Sequence, residues 1–175
     1  MRDLLYGRPL GLLGAIVVAL VVTATTEATT TAPLRIADLA AHSDLVVVGA
    51  VSSVESGWNA AGTVIETQVH VHVAATPKGA PRPDVVVWQP GGRIGTLAAE
   101  FADMPRFSPG ERVLLFLRRA RDGRYRVVGL FQGKFSIERD ATTGEERAVR
   151  RVPDTGDVVD AAPLDRVLAE LTTGR

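Results

Sequence analysis

Residues 63–75, TVIETQVHVHVAA, alternate apolar and polar side chains more regularly than any other stretch of this 175-residue chain. Ile65, Thr67, Val69, Val71 and Val73 fall on one side, and Glu66, Gln68, His70 and His72 on the other. A period of two belongs to a strand with one buried face. Such a strand needs hydrogen-bonded neighbours, so the chain is expected to build a sheet around it.

The neighbours are legible too. Leu45–Ser56 is β-branched and ends in turn material at Ser56-Gly57-Trp58-Asn59. Asp84–Gln89 (DVVVWQ) reads as a third, buried strand. It is separated from the second by Pro77 to Pro83, a stretch whose prolines lack the N–H donors a ladder needs. Arg112–Arg119 meets Arg124–Leu130 across Asp122-Gly123, a strong hairpin signal. Phe131–Arg139 alternates again and turns at Thr142–Glu145 into a last strand near Arg147–Val152.

Two short helices flank this set. Leu34, Ile36, Leu39 and Ala40 share one helical face, and Leu164, Val167, Leu168 and Leu171 share another. Between Pro90 and Gly110 lies the longest irregular region, with a short helix expected through Thr96–Ala102. Six or seven strands joined mostly by tight turns point to a mainly β fold, a closed or nearly closed antiparallel barrel or a sandwich. A small OB-like barrel with short flanking helices is the preferred form.

The N-terminus reads separately. Arg2 and Arg8 precede an apolar run from Pro9 to Val22, followed by TATTEATTTAP. This is the order of a secretory signal, and the run is shorter than the ~20 apolar residues that span a bilayer. The expected layout is a signal segment at 1–28, a linker at 29–34, a β-barrel domain at 35–153, and an acidic tail with a short helix at 154–175. Export to the periplasm, cell surface or medium follows, with transient membrane contact through the signal segment alone.

Composition narrows the function. Lys plus Arg equals Asp plus Glu at 20 each, so no global field favours nucleic acid, and no nucleic-acid partner is expected. From Arg106 to Arg151 there are twelve basic and six acidic residues, and from Val152 to Arg175 two basic and five acidic. Those imbalances read as solvated faces. Cysteine is absent, which removes disulfides, thiolate metal sites and cysteine nucleophiles together.

Catalytic patterns are thin. No Gly-x-Ser-x-Gly or Ser-x-x-Lys occurs. Gly91-Gly92-Arg93-Ile94-Gly95-Thr96 has the look of a phosphate-binding turn but lacks the Gly-Lys-Ser/Thr that would make it one. Glu100 and Asp103 form a carboxylate pair of the kind any acidic loop shows. His70 and His72 project the same way from one strand, as metal ligands do, with His42 and Glu66 as the candidates for a third and fourth ligand. No cofactor is expected.

The run from Ser43-Asp44 to Gly49, the long strand ending near Lys78-Gly79, Gln89–Gly92, Pro105–Phe107 with Gly110-Glu111 and VLLFLRR, and Val128–Phe135 resemble uncharacterised exported bacterial proteins. The resemblance covers roughly residues 37–139 and implies an association with extracellular peptidase or adhesion systems. The same order is similar to the netrin-like module of metalloproteinase inhibitors, an OB-type barrel. Those inhibitors act through an N-terminal cysteine and disulfides that this chain lacks, so only the barrel architecture is implied.

The reading that results is a non-enzymatic exported barrel that binds a protein or envelope component. Trp58, Gly91, Gly92, Arg93 and Phe107 are its expected contact residues. One alternative is a metal-binding protein or metal-dependent hydrolase using His70 and His72, and another is a structural envelope protein. The natively exported protein is expected to show, by intact mass, cleavage after Ala24 or Ala28. A mature chain beginning at Met1 refutes the signal reading, and stoichiometric metal lost in a H70A/H72A variant promotes the metal alternative.

Overall fold

Two strands of this protein are buried on both faces, and the architecture follows from them. The computed structural model describes residues 33–173; the expected signal segment, its cleavage sites and all but the end of the linker lie outside them. The first helix, α1, is Ile36–Ala41. The strands are β1 Leu45–Trp58, β2 Ile65–Lys78, β3 Asp84–Pro90, β4 Gly92–Ile94, β5 Leu97–Ala99, β6 Arg112–Arg119, β7 Tyr125–Val127, β8 Lys134–Arg139, β9 Glu146–Arg151 and β10 Val158–Pro163. A 3₁₀ turn at Leu130–Gly133 precedes β8, and α2, Leu164–Thr173, follows β10.

Strands β1, β2, β3, β7 and β6 close in that order into a mainly β, OB-like barrel, with β6 pairing back onto β1. The expected barrel was antiparallel throughout, but the closed one is mixed. Five strands cannot alternate direction around a ring: β1 and β3 run the same way, β7 shares that direction after two reversals, and β3 therefore meets β7 in parallel. The seam is short, one bridge at Val87 and Tyr125. All seven expected strands are present, and β4, β5 and β10 add to them.

In β1, Leu45, Val47 and Val51 point into the barrel with Val69, Val71, Val85 and Val87. Val46 and Val48 point the other way, into a second core. β6 divides likewise: Val113, Leu115 and Leu117 fill the barrel, while Leu114 and Phe116 face outward. This is why both segments read as continuous apolar runs. Register shifts after Val46, Val48 and Val51 bend β1 so that it serves β6 with its first half and β2 along its length.

The second core is covered by β8, β9 and β10, which extend the sheet beyond β6, and by both helices. The expected α2 stripe is the one used, with Leu164, Val167 and Leu171 buried and Leu168 packed beside them. Phe116 and Phe135 meet at 5.9 Å between ring centroids.

Arg150 is fully buried within this layer. Its guanidinium donates to the carbonyls of Leu34 (2.8 Å) and Gln132 (3.2 Å) and to Asp160 (3.0 Å), and lies over the Phe135 ring. Burial pushes it below the usual arginine range, and Asp160 opposes that shift. One side chain thus ties Leu34, the 3₁₀ turn and β10 together.

Val46 and Val47 are neighbours in sequence with no exposed surface, yet they belong to different cores. Val46→Ala and Val47→Ala are expected to cost about 1–3 kcal/mol each. In double-mutant cycles by urea titration, Val46 should couple to Phe116 and Val47 to Leu115 more strongly than Val46 couples to Leu115 or Val47 to Phe116. The reverse ranking refutes the division into two cores.

Candidate functional site

The Pro90-Gly91-Gly92 sequence explains itself where β3 ends. Gly91 and Gly92 have φ of 90° and 134°, a region that side chains other than glycine avoid. Space forbids side chains there as well. A Cβ on Gly92 would lie 2.2 Å from Ser56 Oγ and 2.4 Å from Thr67 Oγ1, and one on Gly91 would lie 2.7 Å from the Ala99 carbonyl. The chain therefore passes against the β1–β2 pair at backbone distance.

A small polar network fastens it. The Thr67 hydroxyl donates to the Gly91 carbonyl at 2.6 Å. Its proton being used there, the Ser56 hydroxyl donates to Thr67 at 2.9 Å. The Gly91 N–H donates to the Ile65 carbonyl at 2.8 Å. Thr67, Gly91 and Ile65 are buried, so these bonds satisfy the polar groups that the three residues hold away from water.

β4 and β5 form a separate two-stranded hairpin turning at Gly95-Thr96. Gly95 has φ of 57°, the glycine-first pattern of a two-residue II′ turn. The helix expected through Thr96–Ala102 is therefore a correction: Leu97–Ala99 is strand, and docking of the hairpin overrides the helix propensity of Leu-Ala-Ala-Glu.

Residues 100–111 return across the mouth of the barrel. Phe107 packs on the barrel core beneath Lys134, whose ammonium lies 5.5 Å from the ring centroid. Lys134 in turn pairs with Glu111, which also accepts from Ser136 at 2.6 Å. Gln89 Nε2 donates to the buried Pro105 carbonyl at 3.2 Å, while its Oε1 is buried without a partner. Arg106 reaches Asp154 at 2.9 Å.

Between the hairpin and this segment lies an open cleft of ≈ 600 Å³. Gly91, Gly92, Arg93 and Phe107 all line it, so four of the five expected contact residues are brought together. Trp58 is not among them. It sits at the end of β1 opposite Ile65, 52% exposed, beyond the cleft. Leu97 and Phe101 stand exposed on and just beyond β5 (55% and 49%), and Phe101 lines the cleft.

His70 and His72 lie on the outer face of β2, paired across to Val86 and Asp84. His72 Nδ1 is 3.1 Å from Asp84, both well exposed. The candidates for further ligands are engaged elsewhere: His42 faces the Asp38 carbonyl at 2.7 Å, and Glu66 holds Arg124 at 2.7 Å. Among the described residues no group of three or more His, Cys, Asp or Glu could hold a metal ion. Glu100 lines the cleft and Asp103 does not.

Ser56, Thr67, Gln89, Phe101, Arg106 and Asp154 also line the cleft. Phe101 and Arg106 fall in the Gly91–Gly110 loop that the sequence marks as a contact region, whereas Ser56, Thr67, Gln89 and Asp154 carry no pattern that singles them out. No protein-family model matches the chain, and no curated protein matches its sequence.

Gly92→Ala is expected to leave the barrel's far-ultraviolet circular dichroism unchanged while releasing the β4–β5 hairpin. Amide exchange at residues 91–104 should then rise by about tenfold or more. Gly57→Ala, where nothing lies within 4 Å of a new Cβ, should be silent. Equal protection in both variants refutes the docking account.

Proposed function

We propose that this chain is a non-enzymatic, exported binding module that holds a protein or envelope component in the cleft between the β4–β5 hairpin and residues 100–111. The convergence of Gly91, Gly92, Arg93 and Phe107 on one ≈ 600 Å³ cleft carries the reading. A volume of that order suits a segment of a larger partner or a small ligand.

Three further features support it. The cleft is built from loops and a hairpin on a rigid barrel, the arrangement in which binding surfaces are commonly found. Exposed Leu97 and Phe101 give its rim apolar area, and aromatic anchors are enriched at binding hot spots. Arg93, Glu100, Arg106 and Asp154 ring it with charges of both signs, which favours a partner with a defined pattern of its own over a uniformly charged polymer.

The test is photo-crosslinking in the native host, with a photoreactive residue placed at Phe101. Discrete adducts are expected, and Phe107→Ala or Arg93→Glu should reduce them at least about fivefold with the fold intact. Adducts unchanged by both substitutions remove the cleft as the binding site. A survey that yields no adduct at all favours the structural envelope role.

A further inference from the structure

We infer that the cleft takes its partner as an extended polypeptide strand, hydrogen-bonded to the backbone of Ala98 along the open edge of β5. This rests on the binding-module reading above and goes beyond it by naming the partner's chemistry and register.

The hairpin fixes which groups are free. In a two-residue hairpin the residues flanking the turn exchange both backbone bonds, here Ile94 and Leu97. The next pair, Arg93 and Ala98, must then direct N–H and C=O away from each other. For Ala98 that direction is the outer edge of β5, which pairs with β4 alone. Ala98 is exposed and lines the cleft, and no backbone bond from elsewhere in the described residues reaches it.

Open edges are ordinarily blunted by charge, proline or cover. β10 carries Asp160 and ends in Pro163, and the outer half of β1 carries Glu55. β5 is Leu-Ala-Ala, without charge or proline. Leu97 on β5 and Phe101, two residues beyond its end, are large, apolar and exposed beside that edge. An added strand would gain backbone bonds from Ala98 and apolar area from Leu97 and Phe101, the combination of affinity and side-chain selectivity seen when peptides extend a sheet. The small Ala98 and Ala99 leave room for the partner's own side chains.

Ala98→Pro tests this directly, because it deletes an N–H that bonds nothing in the free protein. Ala98→Ser keeps the N–H and serves as control. The probe is a phage-displayed library of random twelve-residue peptides selected on the full mature protein. Enriched peptides are expected to bind wild type and Ala98→Ser alike, to lose about tenfold or more in affinity for Ala98→Pro, and to protect the Ala98 amide from hydrogen exchange in wild type. The exchange readout stands even where the proline variant disturbs the hairpin. Peptides that depend on Phe107 but neither protect Ala98 nor discriminate the proline variant overturn the strand-pairing inference and leave the cleft reading standing. Peptides indifferent to Phe107 as well overturn both. A concentration-dependent dimer abolished by Ala98→Pro replaces the foreign peptide with a second copy of this chain.

Discussion

Burial of β1 and β6 on both faces is the constraint on which the rest of the structure depends. Leu45, Val47, Leu115 and Leu117 close the barrel, and Val46, Val48, Leu114 and Phe116 recruit a second layer on the opposite side. A strand with one polar face could do only one of these things. With no cysteine available, the domain relies on this doubled packing and on the Arg150 junction rather than on covalent cross-links.

The cleft is a consequence of how the barrel closes. β7 has three residues and touches β3 at a single bridge, so the parallel seam does not reach the end of β3. The opening above it is filled by residues 100–111, with Phe107 against the barrel core and Gln89 held to Pro105. Material that serves as a plug cannot also be regular strand, and its irregular backbone provides the cleft's wall. The β4–β5 hairpin provides the facing wall only because two glycines allow it to lie against Ser56 and Thr67. Gap and hairpin are thus one arrangement, set by a short strand on one side and a missing pair of side chains on the other.

These features explain what the sequence could and could not reveal. Strands with a buried face announce themselves by alternation or by unbroken apolar runs, and all seven such segments were legible. β10 was not: Val-Val-Asp-Ala-Ala-Pro has no clean period and lies in a stretch dominated by its acidic residues. β5 was misleading, since Leu-Ala-Ala-Glu favours helix locally and becomes strand only through pairing with β4. The glycine pair of the site was visible because backbone demands leave a mark on composition. Ser56 and Asp154 were not, because their proximity arises from long-range closure, as with Arg106 and Asp154 joined across 48 residues. Trp58 drew attention by residue type and lies outside the cleft, whereas Phe101, also exposed, lines it.

Asp103, in the segment that walls the cleft, and Leu130 both occupy left-handed backbone, with φ of 60° and 58°, a conformation that costs a residue such as leucine about 1–2 kcal/mol and aspartate less. The two strained positions adjoin one hydrogen bond, in which the Phe131 N–H donates to the Asp103 carbonyl at 3.0 Å. Phe131 belongs to the 3₁₀ turn, and Gln132 in the same turn accepts from the Leu34 N–H through its side chain and from Arg150 through its carbonyl. A continuous set of bonds therefore runs from the cleft segment through the strained turn to the buried arginine and to Leu34. Strain of this kind persists only where surrounding structure over-determines it, and here the Phe131–Asp103 bond and the bonds that hold the 3₁₀ turn supply that structure. The cleft's outer wall is in this way anchored to the second core as well as to the barrel, so the two layers built on β1 and β6 jointly fix its position.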